Sequence, residues 1–188
     1  MNIVGLLLAA GSATRFGSDK LRHALPHGVP IAVQAARNLK MEVREVVAVV
    51  REPEAAAMFE GCTVAVCENA TEGMGVSLAC AARAAGPQDG YIVALADMPF
   101  VRRTSIAAVR ETLEKGAGIA APYFRTRRGH PVGIGGRFYE QLIMLKGDEG
   151  ARRLLADNER VLVKIPVGDP GVVRDIDRPE DLAPPVRV

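Results

Sequence analysis

The segment Leu8-Ala9-Ala10-Gly11-Ser12-Ala13-Thr14-Arg15-Phe16-Gly17-Ser18-Asp19-Lys20 decides the reading of the chain. It follows an apolar run from Ile3, which has no basic flank and is far too short to cross a bilayer, so the run reads as a buried strand rather than a leader or anchor. Gly11 and Gly17 let backbone N–H groups approach an anion closely, and Arg15 and Lys20 bring positive charge to the same loop. That combination suits a nucleoside triphosphate. Ala13 breaks the dinucleotide fingerprint GxGxxG, and no GK[ST] follows to make a Walker A loop. The plainer alternative is a strand-to-helix turn with solvated charges.

Outward from this loop, short β-branched runs alternate with helix-like stretches. Ile3 to Ala9, Glu45 to Val50, Thr63 to Val66 and Tyr91 to Ala96 are almost wholly apolar, as strands of a parallel sheet covered on both faces are. Ile31 to Leu39, Pro53 to Phe59, Val76 to Ala85 and Thr104 to Lys115 read as crossover helices, the last with Thr104 as N-cap. Further on, Ile119 to Tyr123, Pro131 to Ile134 and Val161 to Pro166 read as strands, Phe138 to Leu145 and Glu149 to Ala156 as helices, and Val172 to Ile176 as an edge strand. The expectation is an α/β, three-layer Rossmann-like arrangement around a mostly parallel sheet, with residues 1–188 as one domain.

Composition narrows the function. A chain of 188 residues with 48% hydrophobic content can bury roughly 70% of its unfolded surface, which excludes disorder. Charges nearly cancel at +2, and aromatics are 4% with no Trp, so neither a polybasic nucleic-acid binder nor a base-stacking platform is expected. Cys62, Cys67 and Cys80 lack CxxC spacing and read as reduced core thiols of a cytoplasmic protein. No membrane partner is indicated.

Ligands of open α/β sheets bind beyond the carboxyl ends of strands. There, Ala96-Asp97-Met98-Pro99 offers a carboxylate suited to Mg²⁺ on phosphate oxygens, or to capping a turn. Asp175 and Asp177 stand at alternate positions and could complete the metal shell; Asp177 could equally cap a short helix with Pro179 near its start. Glu68-Asn69-Ala70-Thr71-Glu72-Gly73-Met74-Gly75-Val76-Ser77 ends in a Gly-x-Gly turn feeding a helix with free N–H groups and the Ser77 hydroxyl. His130 reads as structural more readily than catalytic, and Arg125, Arg127 and Arg128 as a solvated basic loop.

LAAGSATRFGSDK, ENATEGMGVSL, ALADMP, GHPVG, KGDEGAR and DIDRPEDL, in that order, resemble the molybdenum cofactor cytidylyltransferase and guanylyltransferase family along the whole chain. GMGxSL, DMP, GHPVG and GDxGAR together look most like the cytidylyltransferase branch. The resemblance implies a Rossmann-like nucleotidyltransferase fold and transfer of CMP from CTP to the terminal phosphate of molybdopterin cofactor, with pyrophosphate released. It also implies that Ala9, Ala10, Gly11, Ser12, Gly17, Lys20, Glu68, Asn69, Gly73, Gly75 and Ser77 line the nucleotide pocket. His130, Gly147, Asp148 and Arg152 would face the pterin acceptor, and a molybdenum hydroxylase could receive the product. The guanylyltransferase branch typically has glycine where this chain has Ala10, whose methyl group would narrow the base pocket.

The chemistry is self-consistent. A phosphate monoester is already a nucleophile at neutral pH, so no triad and no general base are required. Arg15 and Lys20 would hold the leaving phosphates, Asp97 would hold Mg²⁺, and the Gly11 to Gly17 amides would stabilise developing charge. Two alternatives remain: a nucleotidyltransferase for another phosphorylated acceptor (sugar, polyol or phospholactate), and a non-catalytic cofactor chaperone using the basic loop.

Overall fold

The computed structural model describes residues 1–11 and 20–183. Strand β1 (Ile3–Leu8) leads toward helix α1 (Ile31–Lys40), followed by β2 (Glu45–Val50), β3 (Thr63–Val66), α2 (Met74–Ala85), β4 (Gly90–Leu95) and α3 (Arg103–Glu114). The second half comprises β5 (Ile119–Phe124), β6 (Arg127–Arg128), β7 (Val132–Gly135), α4 (Tyr139–Ile143), α5 (Arg152–Asp157) and β8 (Leu162–Pro166). The sheet order is β3-β2-β1-β4-β7-β5-β6, with β8 on β5.

Alternation along the strands builds the layers. Ile3 and Leu7 of β1 pack beneath Ala32, Ala36 and Leu39 of α1 and Val109 and Leu113 of α3. Val4, Leu6 and Leu8 turn to the opposite face, under Leu78, Ala81 and Ala82 of α2, Leu142 of α4 and Leu154 of α5. Strands β1 to β4 pair in parallel, β7 runs antiparallel to both β4 and β5, and β8 runs parallel to β5. The arrangement is the expected mixed α/β sandwich with a mostly parallel sheet. Among the described residues, no helix is long and apolar enough to cross a membrane.

Several local expectations are corrected. Val172 to Ile176 is not an edge strand: residues Pro170–Val173 form a 3-10 turn, held because Asp169 Oδ1 accepts from the Gly171 N–H at 2.9 Å. Thr104 does not cap α3. Arg102 is the N-cap, with no side-chain cap bond, and Asp169 holds the helix start from a distance by accepting from the Arg102 N–H at 2.8 Å and the Ser105 hydroxyl at 2.7 Å. Pro53–Met58 is a 3-10 turn rather than a helix, and α4 and α5 are each shorter than their patterns suggest. Asp177 does not cap the C-terminal turn; Asp181 accepts from the Asp177 and Arg178 N–H groups at 3.1 and 2.9 Å. The three cysteines are free thiols, and burial, with Cys80 beside it, pushes the Cys67 thiol up to about 11.

Candidate active site

Beyond the carboxyl ends of β1, β2 and β4 lies a cavity of about 320 Å³. Its floor is Leu8, Ala10 and Gly11 from the end of β1, with Leu95 and Asp97 from β4. One wall comprises Ala70, Thr71, Gly73, Met74 and Ser77, the other Lys20, Leu21, Asp177 and, at the rim, Arg51.

The polar end is built around Lys20, whose Nζ lies 3.0 Å from Asp97 Oδ2 and 3.1 Å from Asp177 Oδ1. Burial alone would lower the Lys20 ammonium, but Asp97 and Asp177 outweigh it and hold the group above its ordinary value. Asp97 is pushed the other way from a typical paired carboxylate. Burial, reinforced by Asp175, raises its carboxyl despite the opposing pull of Lys20. Asp97 Oδ1 is buried without a hydrogen-bond partner among the described residues. Oxygens of Asp97, Asp175 and Asp177 all lie within 4.8 Å of one another. Three hard oxygen donors, one of them buried and unpartnered, fit a divalent cation such as Mg²⁺ or Mn²⁺.

Glycines make the wall possible. The Gly75 N–H donates to the Gly147 carbonyl at 2.7 Å, while a Cβ on Gly73, at φ 131, would sit 2.3 Å from the Gly147 carbonyl carbon. Only glycine at 73 lets the 146–148 turn pack against the start of α2, which brings Asp148 to the cavity.

Of the expected nucleotide-binding residues, Ala10, Gly11, Lys20, Gly73 and Ser77 line the cavity. Gly75 supports that wall, Ala9 is buried on the opposite face of the sheet in the core under α1 and α3, and Glu68 and Asn69 are exposed while their loop contributes Ala70 and Thr71 instead. Ser12, Arg15 and Gly17 lie outside the described residues. The expected acceptor residues do not form one site. Asp148 reaches the cavity and Gly147 stands behind it, but Arg152 is exposed on α5 and does not line the cavity. His130 lies with Asn38, Met98 and Ile106 in a separate small cavity under α1 and α3, its Nδ1 buried and without a hydrogen-bond partner among the described residues. Burial, with Arg128 pushing the same way, lowers His130 to about 4 against the opposing Val93 carbonyl and Asp175, so the ring is neutral at pH 7. Arg51 was not anticipated; it directly follows β2, a strand-end position comparable to that of Asp97 after β4.

Comparison with known proteins agrees with this layout. The purine catabolism protein PucB of Bacillus subtilis is 28% identical over 195 residues, covering 95% of this chain and 93% of that protein. The crystal structure of Rv0371c from Mycobacterium tuberculosis superposes with a TM-score of 0.82 at 21% identity, over 96% of this chain and 95% of that one. The manganese complex of Rv0371c gives a TM-score of 0.78 at 20% identity over 96% of each chain. Residues 5–161 match the MobA-like NTP transferase domain, a span that takes in the β1 loop, the glycine wall and Asp97. The chain therefore belongs to the MobA-like NTP transferase domain family and is a nucleotidyltransferase.

Proposed function

We propose that the protein transfers CMP from CTP to molybdopterin cofactor and releases pyrophosphate. The observation that carries the reading is the buried, unpartnered Asp97 oxygen within a three-carboxylate cluster at the polar end of a glycine-walled cavity. Asp97, Asp175 and Asp177 would hold Mg²⁺, which when bound neutralises phosphate charge and polarises the α-phosphate. The manganese held by the similarly folded Rv0371c agrees with a divalent metal here.

The chain's own residues do the rest. Lys20 is engaged by Asp97 and Asp177, so it can take phosphate oxygens only as those carboxylates find another cation. Ala10 and Ser77 line the cavity; the Ala10 methyl group would narrow the base pocket in favour of a pyrimidine, and Ser77 would contact base or ribose. The Ser77 hydroxyl makes only a 3.5 Å contact to the Gly73 carbonyl, leaving it available to ligand.

The test is pyrophosphate release from CTP with extracted molybdopterin as acceptor, against sugar, polyol and lactate phosphates. Molybdopterin should support turnover far above the others. Preference for another phosphomonoester would reassign the acceptor, and metal-independent cofactor binding with no turnover would indicate a chaperone.

A further inference from the structure

We propose that Asp169 is a positioning residue for the metal site: its buried carboxylate ties the stretch that carries Asp97 to the stretch that carries Asp175 and Asp177, and so sets the spacing of the cluster. The inference rests on reading that cluster as a divalent-metal site and adds the residue that holds its two halves in register.

Two stretches of chain supply the carboxylates. Asp97 stands at the start of the 97–102 connection between β4 and α3, and Asp175 and Asp177 stand on the 169–177 stretch that follows β8. The stretches lie side by side and antiparallel. At the end remote from the cluster, Asp169 Oδ2 accepts from the Arg102 N–H at 2.8 Å. Midway, a Cβ on Gly171 would stand 2.2 Å from the Phe100 carbonyl oxygen, so glycine is what lets the two backbones approach. At the cluster end, the Ile176 N–H donates to the Asp97 carbonyl at 2.9 Å.

The Asp169 carboxylate works on both stretches at once. Its Oδ1 accepts from the Gly171 N–H at 2.9 Å, bending its own stretch into the 170–173 turn, while Oδ2 takes the Arg102 N–H and, at 2.7 Å, the Ser105 hydroxyl of α3. The residue is 3% exposed, so its charge is out of water and depends on these three donors. Capping the helix does not require that arrangement. A Ser, Thr, Asp or Asn at the N-cap would serve the start of α3 locally, whereas the N-cap here is Arg102 with no side-chain cap bond. Each stretch also has its own anchor: Asn38 Nδ2 donates to the Pro99 and Val101 carbonyls at 2.9 and 3.0 Å, and the His130 N–H donates to the Val172 carbonyl at 2.7 Å. Asp169 fixes one anchored stretch against the other.

The cluster needs that alignment. Oxygens of Asp97, Asp175 and Asp177 lie within 4.8 Å of one another, and a divalent cation holds oxygen ligands at about 2.0–2.6 Å, so a slip of about an ångström between the stretches takes a carboxylate out of reach. A backbone hydrogen bond at the cluster end alone would let the stretches swing about it. The Asp169 bridge at the far end removes that freedom.

The experiment measures binding of Mn²⁺ alone, from the electron paramagnetic resonance signal of the free ion, to wild type, Asp169→Asn, Arg102→Pro and Val109→Ala, each held below its melting transition. Asp169→Asn sets an amide N–H₂ against a donor and should weaken Mn²⁺ about tenfold or more, the scale of losing a group that supports metal ligands. Arg102→Pro deletes the bridging N–H and leaves Asp169 in place; the Arg102 φ of −75 is one that proline adopts, and Mn²⁺ should again bind more weakly. If Asp169→Asn does not fold, Arg102→Pro decides. Val109→Ala, in the core face of α3, should lower the melting temperature and leave Mn²⁺ affinity within about twofold, as expected of a site that shares no partner with the bridge. Wild-type Mn²⁺ affinity in both folded bridge variants, or an equal loss in Val109→Ala, overturns the positioning role while the metal site stands. Absence of Mn²⁺ binding by wild type overturns the metal site and this inference with it.

Discussion

Lys20 Nζ stands 3.0 Å from Asp97 Oδ2, an ion pair that joins the end of the β1 loop to the end of β4 across the mouth of the sheet. The pair is partly buried and, among the described residues, its carboxylate keeps one oxygen unpartnered, so it does not neutralise the site. It is better understood as a placeholder arrangement in which the ammonium occupies charge that substrate and metal redistribute.

Asp97→Asn keeps the shape of the side chain and removes its negative charge. Lys20 retains Asp177, so folding should survive. Turnover should fall about 100-fold or more, the scale of removing one major electrostatic stabiliser. Steady-state kinetics across a Mg²⁺ titration, with thermal melting as the folding control, decide this; wild-type rates at limiting Mg²⁺ would remove Asp97 from the metal site.

Lys20→Ala should weaken CTP much more than CMP, because the contacts assigned to Lys20 are to phosphates that CMP lacks. Calorimetric titration of both nucleotides distinguishes this from general damage, in which the two would weaken equally.

Gly73→Ala and Gly11→Ala should behave differently although both glycines line the cavity. At 73 a methyl group meets the Gly147 backbone at 2.3 Å in a backbone conformation unfavourable to alanine, so melting temperature and CTP affinity should both fall, with a stability loss of about 1–3 kcal/mol. At 11 a Cβ meets nothing within 4 Å among the described residues, so stability should hold and any effect should appear in nucleotide binding alone. Equal stability losses would contradict the packing described for the wall.

His130 should govern stability against pH. Its value is about 4 folded against 6.5 unfolded, so the unfolded chain binds the extra proton. The stabilising contribution is complete above pH 6.5, is lost as pH falls toward 4, and totals on the order of 3 kcal/mol. Urea unfolding of wild type and His130→Gln at pH 7 and pH 5 provides the check. The variant should lose less stability on acidification, and parallel losses would show that the ring does not titrate as described.

Patterns fixed by chain periodicity were legible in the sequence. Glu45–Val50 and Thr63–Val66 are strands with the expected bounds; burial on both faces explains the unbroken apolar run of β2 from Val46, whereas β3 is an edge strand with Thr63 and Val66 exposed. What sequence could not show depended on distant partners. Asp169 anchors the start of α3 at the Arg102 N–H from a segment more than sixty residues away, which hid the helix start and broke the expected edge strand at Val172. The pairing of Tyr123 with Arg128 turned a basic loop into a hairpin. At the site, Lys20, Asp97 and Asp177 were each identifiable from strand-end position or carboxylate spacing, but their convergence on one ammonium was not. That His130 stands in a separate cavity from Asp148 was not legible either, because a GHPVG motif carries no information about which face of the sheet its imidazole enters.

The central claim is tested most directly by competition between donors. Wild type is given equimolar CTP and GTP at low concentration with Mg²⁺ and molybdopterin, and the dinucleotide products are separated and weighed by mass spectrometry. The cytosine dinucleotide should dominate, and Ala10→Gly should narrow that dominance without reversing it, since one methyl group contributes about 1–3 kcal/mol, roughly 10- to 200-fold. A guanine dinucleotide as the main wild-type product would contradict the cytidylyltransferase account.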